Sequence, residues 1–456
     1  MKSLKYFSIV LVFILIIVTA TPAFAQLGNV DKSQIKIQNV SGGSVSVTVQ
    51  FVSDLGVTYT PNPLSTTPAI ANPFTLNDGQ SILIDVSKVP SLPSGSYSVV
   101  ISSTGKVVAT ASVYGETANE FSGAYPSFSS GATMIYIPTA AYNYYDWFSM
   151  ISVMNIGNVP ADVTVTITCA NSGSVGLVGT LTKTGLASMA SQTWALKNVI
   201  PTGFTSSTVC QGGAVITSTQ PVVAVNNQNK PAYGATNSFE SITTSTPTVY
   251  VPQLSSNYFG WTSSLNILKQ GSGNTTVTVT YSDLTTSQCA LTNATPSCQL
   301  FIPSAHPTSG RFSATLTSSG GNNLLVSVGS THTSGLSGGY VGFSAGSHAV
   351  AVPLAMKEYF NWNTALNCMN VSATPTTLNI AYEGYPAYND PTTLSQGQSK
   401  QITLQNDGNL PTTNWNGSVI ITANAANALI ACMIGSSSGV QVIPGDWTLQ
   451  YNALPK

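Results

Sequence analysis

The sequence predicts an all-β protein: a tandem array of four β-sandwich units behind a cleaved signal peptide. Three observations carry this. First, one stretch is written three times, from Tyr136-Ile137-Pro138 to Ile167, from Tyr250-Val251-Pro252 to Tyr281, and from Ala351-Val352-Pro353 to Tyr382. In each copy a Pro (Pro138, Pro252, Pro353) stands nine residues before a Trp (Trp147, Trp261, Trp362), and sixteen residues past the Trp an alternating run begins: VTVTI, VTVTY or LNIAY. Self-similarity at a long period marks an array. Second, the apolar residues alternate with period two between Gly, Pro, Ser and Asn clusters, and no segment holds a helical period. Third, the six cysteines fall in pairs by repeat.

Taken in order, the chain opens with Lys2 and Lys5, an apolar run from Ile9 to Val18, and the small-x-small site Ala23-Phe24-Ala25. That is a secretory signal over residues 1–25, with maturation expected at Gln26. The run is short for a membrane span of ~20 residues. No later stretch is apolar enough to span, so no membrane span is expected after cleavage.

The first unit, residues 26–115, is a headless copy. Asn39 takes the place of Asn155, and VTVQF from Val47 takes the place of VTVTI, but Asp31 falls at the Trp position and no Pro-ended first strand is read. The remaining units are expected over 134–229, 248–330 and 349–456. Leu76–Ser81 and Leu394–Ser399 repeat one turn pattern. Gly/Ser/Thr-rich connectors with single aromatics (Phe121, Tyr125, Phe239, Tyr340, Phe343) are expected to lie over the surface. Each Pro is expected at a strand end, and each Trp in a core or a joint between units.

Only 6% of residues are charged, against ~25% in typical soluble domains, and the net charge is −1. No basic patch for nucleic acid is expected. A surface with few carboxylates has little to lose on protonation, which suits an acidic habitat; it equally suits a surface made to assemble. Both readings stand at this point.

Even cysteine numbers in an exported chain favour disulfides. The expected pairs are Cys169–Cys210, Cys289–Cys298 and Cys368–Cys432. No Cys-x-x-Cys occurs and there are three His, which argues against zinc. The placement of Cys368 in an early strand and Cys432 in a late one resembles an inter-sheet bridge.

Gly260-Trp261-Thr262, Asn155-Ile156-Gly157, VTVTY and the late PVVAVNN together resemble the tandem immunoglobulin-like β-sandwich repeats of bacterial cell-surface proteins. The likeness covers nearly all of the mature chain. It implies an extracellular modular role and no chemistry. Asp146 and Asn361 stand where that pattern has Gly before the Trp.

No acidic pair recurs in the repeats and no Ser–His–Asp set is present, so no enzyme and no cofactor are expected. Asp283, Asp390 and Asp407 read as turn acids rather than calcium ligands, and no metal is expected. The binding candidates are the aromatic clusters Tyr144, Tyr145 and Trp147; Tyr258, Phe259 and Trp261; and Tyr359, Phe360 and Trp362, whose rings suit sugar faces. Sequons stand at Asn39, Asn274, Asn370 and Asn416; Asn293 is disfavoured by Pro296. The C-terminal Val440-Gln441-Val442-Ile443-Pro444 resembles a first strand with no unit behind it, which suggests strand addition to unit one of a second molecule. The expected function is an extracellular structural or adhesive surface protein, assembling head-to-tail into a filament or coat. The alternative is a carbohydrate-binding array.

Overall fold

The computed structural model describes residues 11–17, 32–114, 122–230, 234–411, 413–438 and 448–456, with 11–17 and Tyr114 as backbone only. The described chain is all-β. Its one α-helix is the single turn Ile302–Ala305.

The third repeat shows the plan. Thr248–Ser256, Gly310–Ser318, Thr275–Tyr281 and Thr286–Leu291 lie side by side in one antiparallel sheet. Ser297–Phe301, Trp261–Gln270, Asn323–His332 and Ser337–Val341 form the other. The period-two pattern turns Val277, Val279 and Tyr281 inward, where they meet Leu265, Ile267, Val326 and Val328 in one core. The fourth repeat follows the same order and adds Leu454–Pro455 beside its first strand. In the second, one continuous strand, Cys210–Lys230, pairs on both sides of the core and joins the strands into a single seven-stranded sheet. Constant-type immunoglobulin sandwiches hold strands A, B, E and D together. Here the first strand of the repeat sits beside the sixth, and the seventh beside the second.

Three expectations are corrected. Each repeated Pro lies inside its strand, not at the end. The first strands, here called leading strands, are Ala132–Tyr142, Thr248–Ser256 and Ala349–Lys357. Each shifts register just past its Pro, between Ile137 and Ala140, Val251 and Leu254, or Val352 and Ala355. A bulge is where a strand tolerates a residue with no N–H. Each Trp is only half-buried, because it closes a hairpin at the sandwich end. And Cys368 faces Cys432 directly across two neighbouring strands of one sheet, Cα atoms 4.1 Å apart. The disulfide that spans two sheets is Cys289–Cys298; Cys169–Cys210 completes the set.

The connectors also differ from expectation. Each of the three contributes a fully buried strand, here called the closing strand, Ser122–Pro126, Ala235–Glu240 and Ser337–Val341, and the C-terminal tail supplies a fourth, Thr448–Asn452. These pack on one another in cyclic order, first on second, second on third, third on fourth, fourth on first. Small residues allow the approach. A Cβ on Gly338 would meet the Gln450 side chain at 2.7 Å, and one on Gly339 would meet Phe239 at 2.5 Å.

The result is a closed ring of four repeats. Tyr136 of the second leading strand packs on Leu268 and Leu325 of the third repeat. Tyr250 of the third packs on Met369 and Ala431 of the fourth. Ala351 of the fourth packs on Val108 and Val40 of the first. The first and second repeats share one core, in which Met154 and Val223 occupy the matching places. Thus one surface meets a different surface around the circle, and the rotation closes.

Candidate binding surface

Each aromatic cluster is a two-residue hairpin. Tyr144 and Trp147 exchange both backbone hydrogen bonds, as do Tyr258 with Trp261 and Tyr359 with Trp362. The two residues between have positive φ in every copy: Tyr145 and Asp146 at 47° and 70°, Phe259 and Gly260 at 47° and 82°, Phe360 and Asn361 at 46° and 67°. This is the geometry that favours Gly, Asn or Asp at the second position, which explains the variation before the Trp. In the third repeat Gly is also required by contact, because a Cβ would stand 2.6 Å from His332 Nε2. That nitrogen donates to the Phe259 carbonyl at 2.9 Å and holds the turn.

The turn pushes one ring outward each time. Tyr145, Phe259 and Phe360 are 76%, 81% and 74% exposed. The preceding tyrosines stack against them edge-on, at 4.7, 4.6 and 4.8 Å between centroids. Three aromatic tips therefore recur at matching points of three repeats.

Beneath each tip lies a joint with the next repeat, and the joints differ. Between the second and third repeats, Gln211 donates to Asn266 at 3.3 Å and to Thr139. A cleft of only about 50 Å³ remains there, beside Tyr144 and Gln299. Between the fourth and first, Lys36 stands in the place of Asn266 and donates to Asn416 at 3.0 Å. Burial pushes Lys36 down to about 8, against the pull of Glu383. Between the third and fourth, Arg311 occupies the position of Gln211 and Asn416. Its guanidinium lies 4.7 Å over the Tyr258 ring instead of reaching across, and the Asn367 amide donates to Met433 sulfur. The cleft there is open, about 240 Å³, and is lined by Tyr258, Phe259, Trp261, Arg311, Asn367 and Gln401 among others. Tyr258, Phe259 and Trp261 thus come together at one site. At the corresponding place beside Tyr144 the cleft is only about 50 Å³, and at the fourth–first joint Lys36 bridges to Asn416. The joint residues escaped the sequence reading. Asn266 and Asn367 each follow their Trp by five positions, which is the signal that could have found them.

The acidic residues serve structure. Asp283 accepts from Thr285 and from His306 Nε2 at 2.9 Å. Asp390 accepts from Thr392 N–H at 2.8 Å and pairs with Lys400. Burial pushes Asp407 up, but hydrogen bonds from Tyr382, Tyr388 and Asn409 outweigh it and hold the carboxyl below its usual range. Glu383 accepts from Ser81 of the first repeat and from Ser418, sealing the fourth joint. Glu240, in the second closing strand, is fully buried beside Asn452 at 3.0 Å; desolvation pushes it up to about 7. Among the described residues no group of three or more His, Cys, Asp or Glu could hold a metal ion.

Two of the sequon asparagines lie in the interior. Asn39 and Asn370 are fully buried, and their amide nitrogens already donate to Gly43 and Leu76 carbonyls and to Thr374 and Leu394 carbonyls. A glycan has no room there in the folded chain. Asn274 is exposed; Asn416 is half-buried and holds Lys36.

No family model matches this chain, and no curated protein matches it. Among solved structures, a Streptomyces avermitilis alpha-L-rhamnosidase complexed with L-rhamnose aligns over 88% of this chain and 54% of its own, at 7% identity and a TM-score of 0.16. The chain thus spans about half the length of that protein, and the likeness is too low to carry an argument. Among the described residues no helix is long and apolar enough to cross a membrane. That, with the three disulfides, is compatible with an extracellular protein.

Proposed function

We propose that this chain is an extracellular structural or adhesive surface protein made of four β-sandwich units, immunoglobulin-like in build though not in strand order, the first three reaching past the expected bounds 26–115, 134–229 and 248–330 to include their closing strands and the fourth lying within 349–456. The observation that carries this reading is the set of three aromatic tips, Tyr145, Phe259 and Phe360, held outward by one turn geometry. Exposed aromatics at fixed spacing are anchors for a partner surface. The ring uses its own end surfaces to close on itself, so the array reads as a coat or adhesin component more naturally than as a rod. Electron microscopy of purified mature protein and of labelled cells tests this. Ordered surface arrays or adhesion that disappear in the Tyr145→Ala, Phe259→Ala, Phe360→Ala protein support it; a freely secreted chain that binds no surface contradicts it.

A carbohydrate-binding array is the second reading, favoured by the open third joint. An aromatic wall with amides, hydroxyls and one guanidinium suits a sugar. Glycan-array binding that disappears in Tyr258→Ala, Trp261→Ala protein would support it.

A further inference from the structure

The leading strand does more than fill an edge, because its bulge frees backbone groups that the repeat must satisfy. In the third and fourth repeats a closing-strand tyrosine does so. Tyr340 and Tyr451 each donate a hydroxyl to the carbonyl of Gln253 or Leu354, and accept from the N–H of the same residue at 3.2 and 3.3 Å. In the second repeat Phe239 replaces the tyrosine, and Asn226 donates to the corresponding Thr139 carbonyl instead. A second hydroxyl, two residues past each Trp, takes the next freed N–H. Ser149 accepts from Ala141, Ser263 from Ser255 and Thr364 from Met356, each at 2.9 Å.

The first repeat carries both groups without their partners. Tyr125 and Ser33 occupy the matching positions and are buried, 1% and 0% exposed. Among the described residues neither the Tyr125 hydroxyl nor the Ser33 hydroxyl has a hydrogen-bond partner. Two buried orphan polar groups, one where two other repeats bond a leading strand and one where all three do, mark a slot built for such a strand. The edge beside it, Tyr97–Ser103, is formed and pairs on its other side with Val45–Ser53. It already holds a strand: Leu11–Ile17 runs antiparallel to it, from Leu11 opposite Ser103 to Ile17 opposite Tyr97. That segment is the apolar core of the signal sequence.

We propose that the first repeat is a strand acceptor gated by processing: its N-terminal segment caps the Tyr97–Ser103 edge in the precursor, and after cleavage the slot takes an extended segment of another protein chain. The segment it fits has apolar residues at alternate positions, followed by a bulge that presents a free carbonyl to Tyr125 and a free N–H to Ser33. Main-chain hydrogen bonds would hold it, as in strand addition generally. The proposal rests on the signal-peptide reading of residues 1–25, and it names a contact surface separate from the three aromatic tips.

The probe is a synthetic peptide with the sequence of Thr248–Ser256, the occupant of the matching slot in the third repeat. Mass spectrometry of secreted protein first establishes the N-terminus; a chain that keeps residues 1–25 overturns the gating. Calorimetry then measures peptide binding to the chain beginning at Gln26 and to the chain that retains residues 1–25. Binding to the first and not the second is expected. Tyr125→Phe should weaken it about fivefold, the loss of one hydrogen bond, while raising the melting temperature of the peptide-free chain, because the orphan group is gone. A Val251→Pro peptide should not bind. If the chain beginning at Gln26 binds no peptide, or those Tyr97–Ser103 amides that face away from Val45–Ser53 are already protected from hydrogen exchange in the monomer, the slot is filled from within and the proposal fails. If the chain polymerises and the peptide dissolves the polymers, the donor is a second copy; polymers unaffected by the peptide assemble through another surface and contradict the proposal, leaving the surface-protein reading intact.

Discussion

Lys36 of the first repeat donates to Asn416 of the fourth at 3.0 Å, across 380 residues of sequence. This bond stands where Gln211 meets Asn266 in another joint, so the contact between the two ends of the array is built like a contact between neighbours. Beside it Glu383 of the fourth repeat accepts from Ser81 of the first, and Ser418 donates to the Gly79 carbonyl. Ser313 donates to the Gly397 carbonyl at the corresponding place one joint earlier.

Glu383→Ala removes the acceptor of the Ser81 N–H and hydroxyl and of the Ser418 N–H in that joint. A loss of about 1–3 kcal/mol of stability is expected, measured by denaturant unfolding. Glu383→Gln, which keeps an acceptor, should cost less.

Glu240 sets a pH dependence. Its folded value of about 7 lies above the unfolded one of 4.5, so the folded chain binds the extra proton between them. Stability from this group is full below about pH 4.5 and is lost as pH rises through about 7, by roughly 3 kcal/mol at most. Lys36 acts in a separate window: its value is lowered, so it contributes stability above 10.5 that is lost as pH falls through about 8. Melting temperatures from pH 4 to 8 should fall in the native chain. In Glu240→Gln protein they should fall less. An equal slope in both would contradict this account of the centre.

The hairpin tips predict a position-specific cost. Gly260→Asp restores the residue found at 146, yet it places a Cβ 2.6 Å from His332 Nε2. About 1–3 kcal/mol of destabilisation is expected. Asn361→Gly should be nearly neutral by the same unfolding measurement.

Much of the fold was legible because the repeat fixes spacing: the Pro, the Trp and the alternating run identify three leading strands and the hairpins that follow. What escaped was set by tertiary contact. The connectors, rich in Gly and Ser, read as surface segments. In fact Gly338 and Gly339 are small because strands from other repeats press on them. Each Pro read as a strand end because a bulge carries no sequence mark of its own. The paired cysteines were legible by contiguity, but whether Cys368 and Cys432 face across one sheet or between two depends on strand order. The open joint was invisible, since it turns on Arg311 lying over Tyr258 rather than reaching toward Asn367. The expected strand Val440–Pro444 lies outside the described residues.

Disulfide loss should grade with the loop each bond closes. The separations are 64, 41 and 9 residues for Cys368–Cys432, Cys169–Cys210 and Cys289–Cys298. Replacing each pair by Ala should cost roughly 2–4 kcal/mol, least for the shortest loop. Differential calorimetry of the three variants gives the order.

Small-angle X-ray scattering of the mature monomer distinguishes a closed ring from an open row. Four repeats closed on themselves should give a radius of gyration of about 22–26 Å, near the value for a compact chain of this length. The same four repeats in an open row would give roughly 40 Å or more. A value near the first, unchanged on dilution, is the predicted result; a value near the second, with the distance distribution of a rod, would contradict the account.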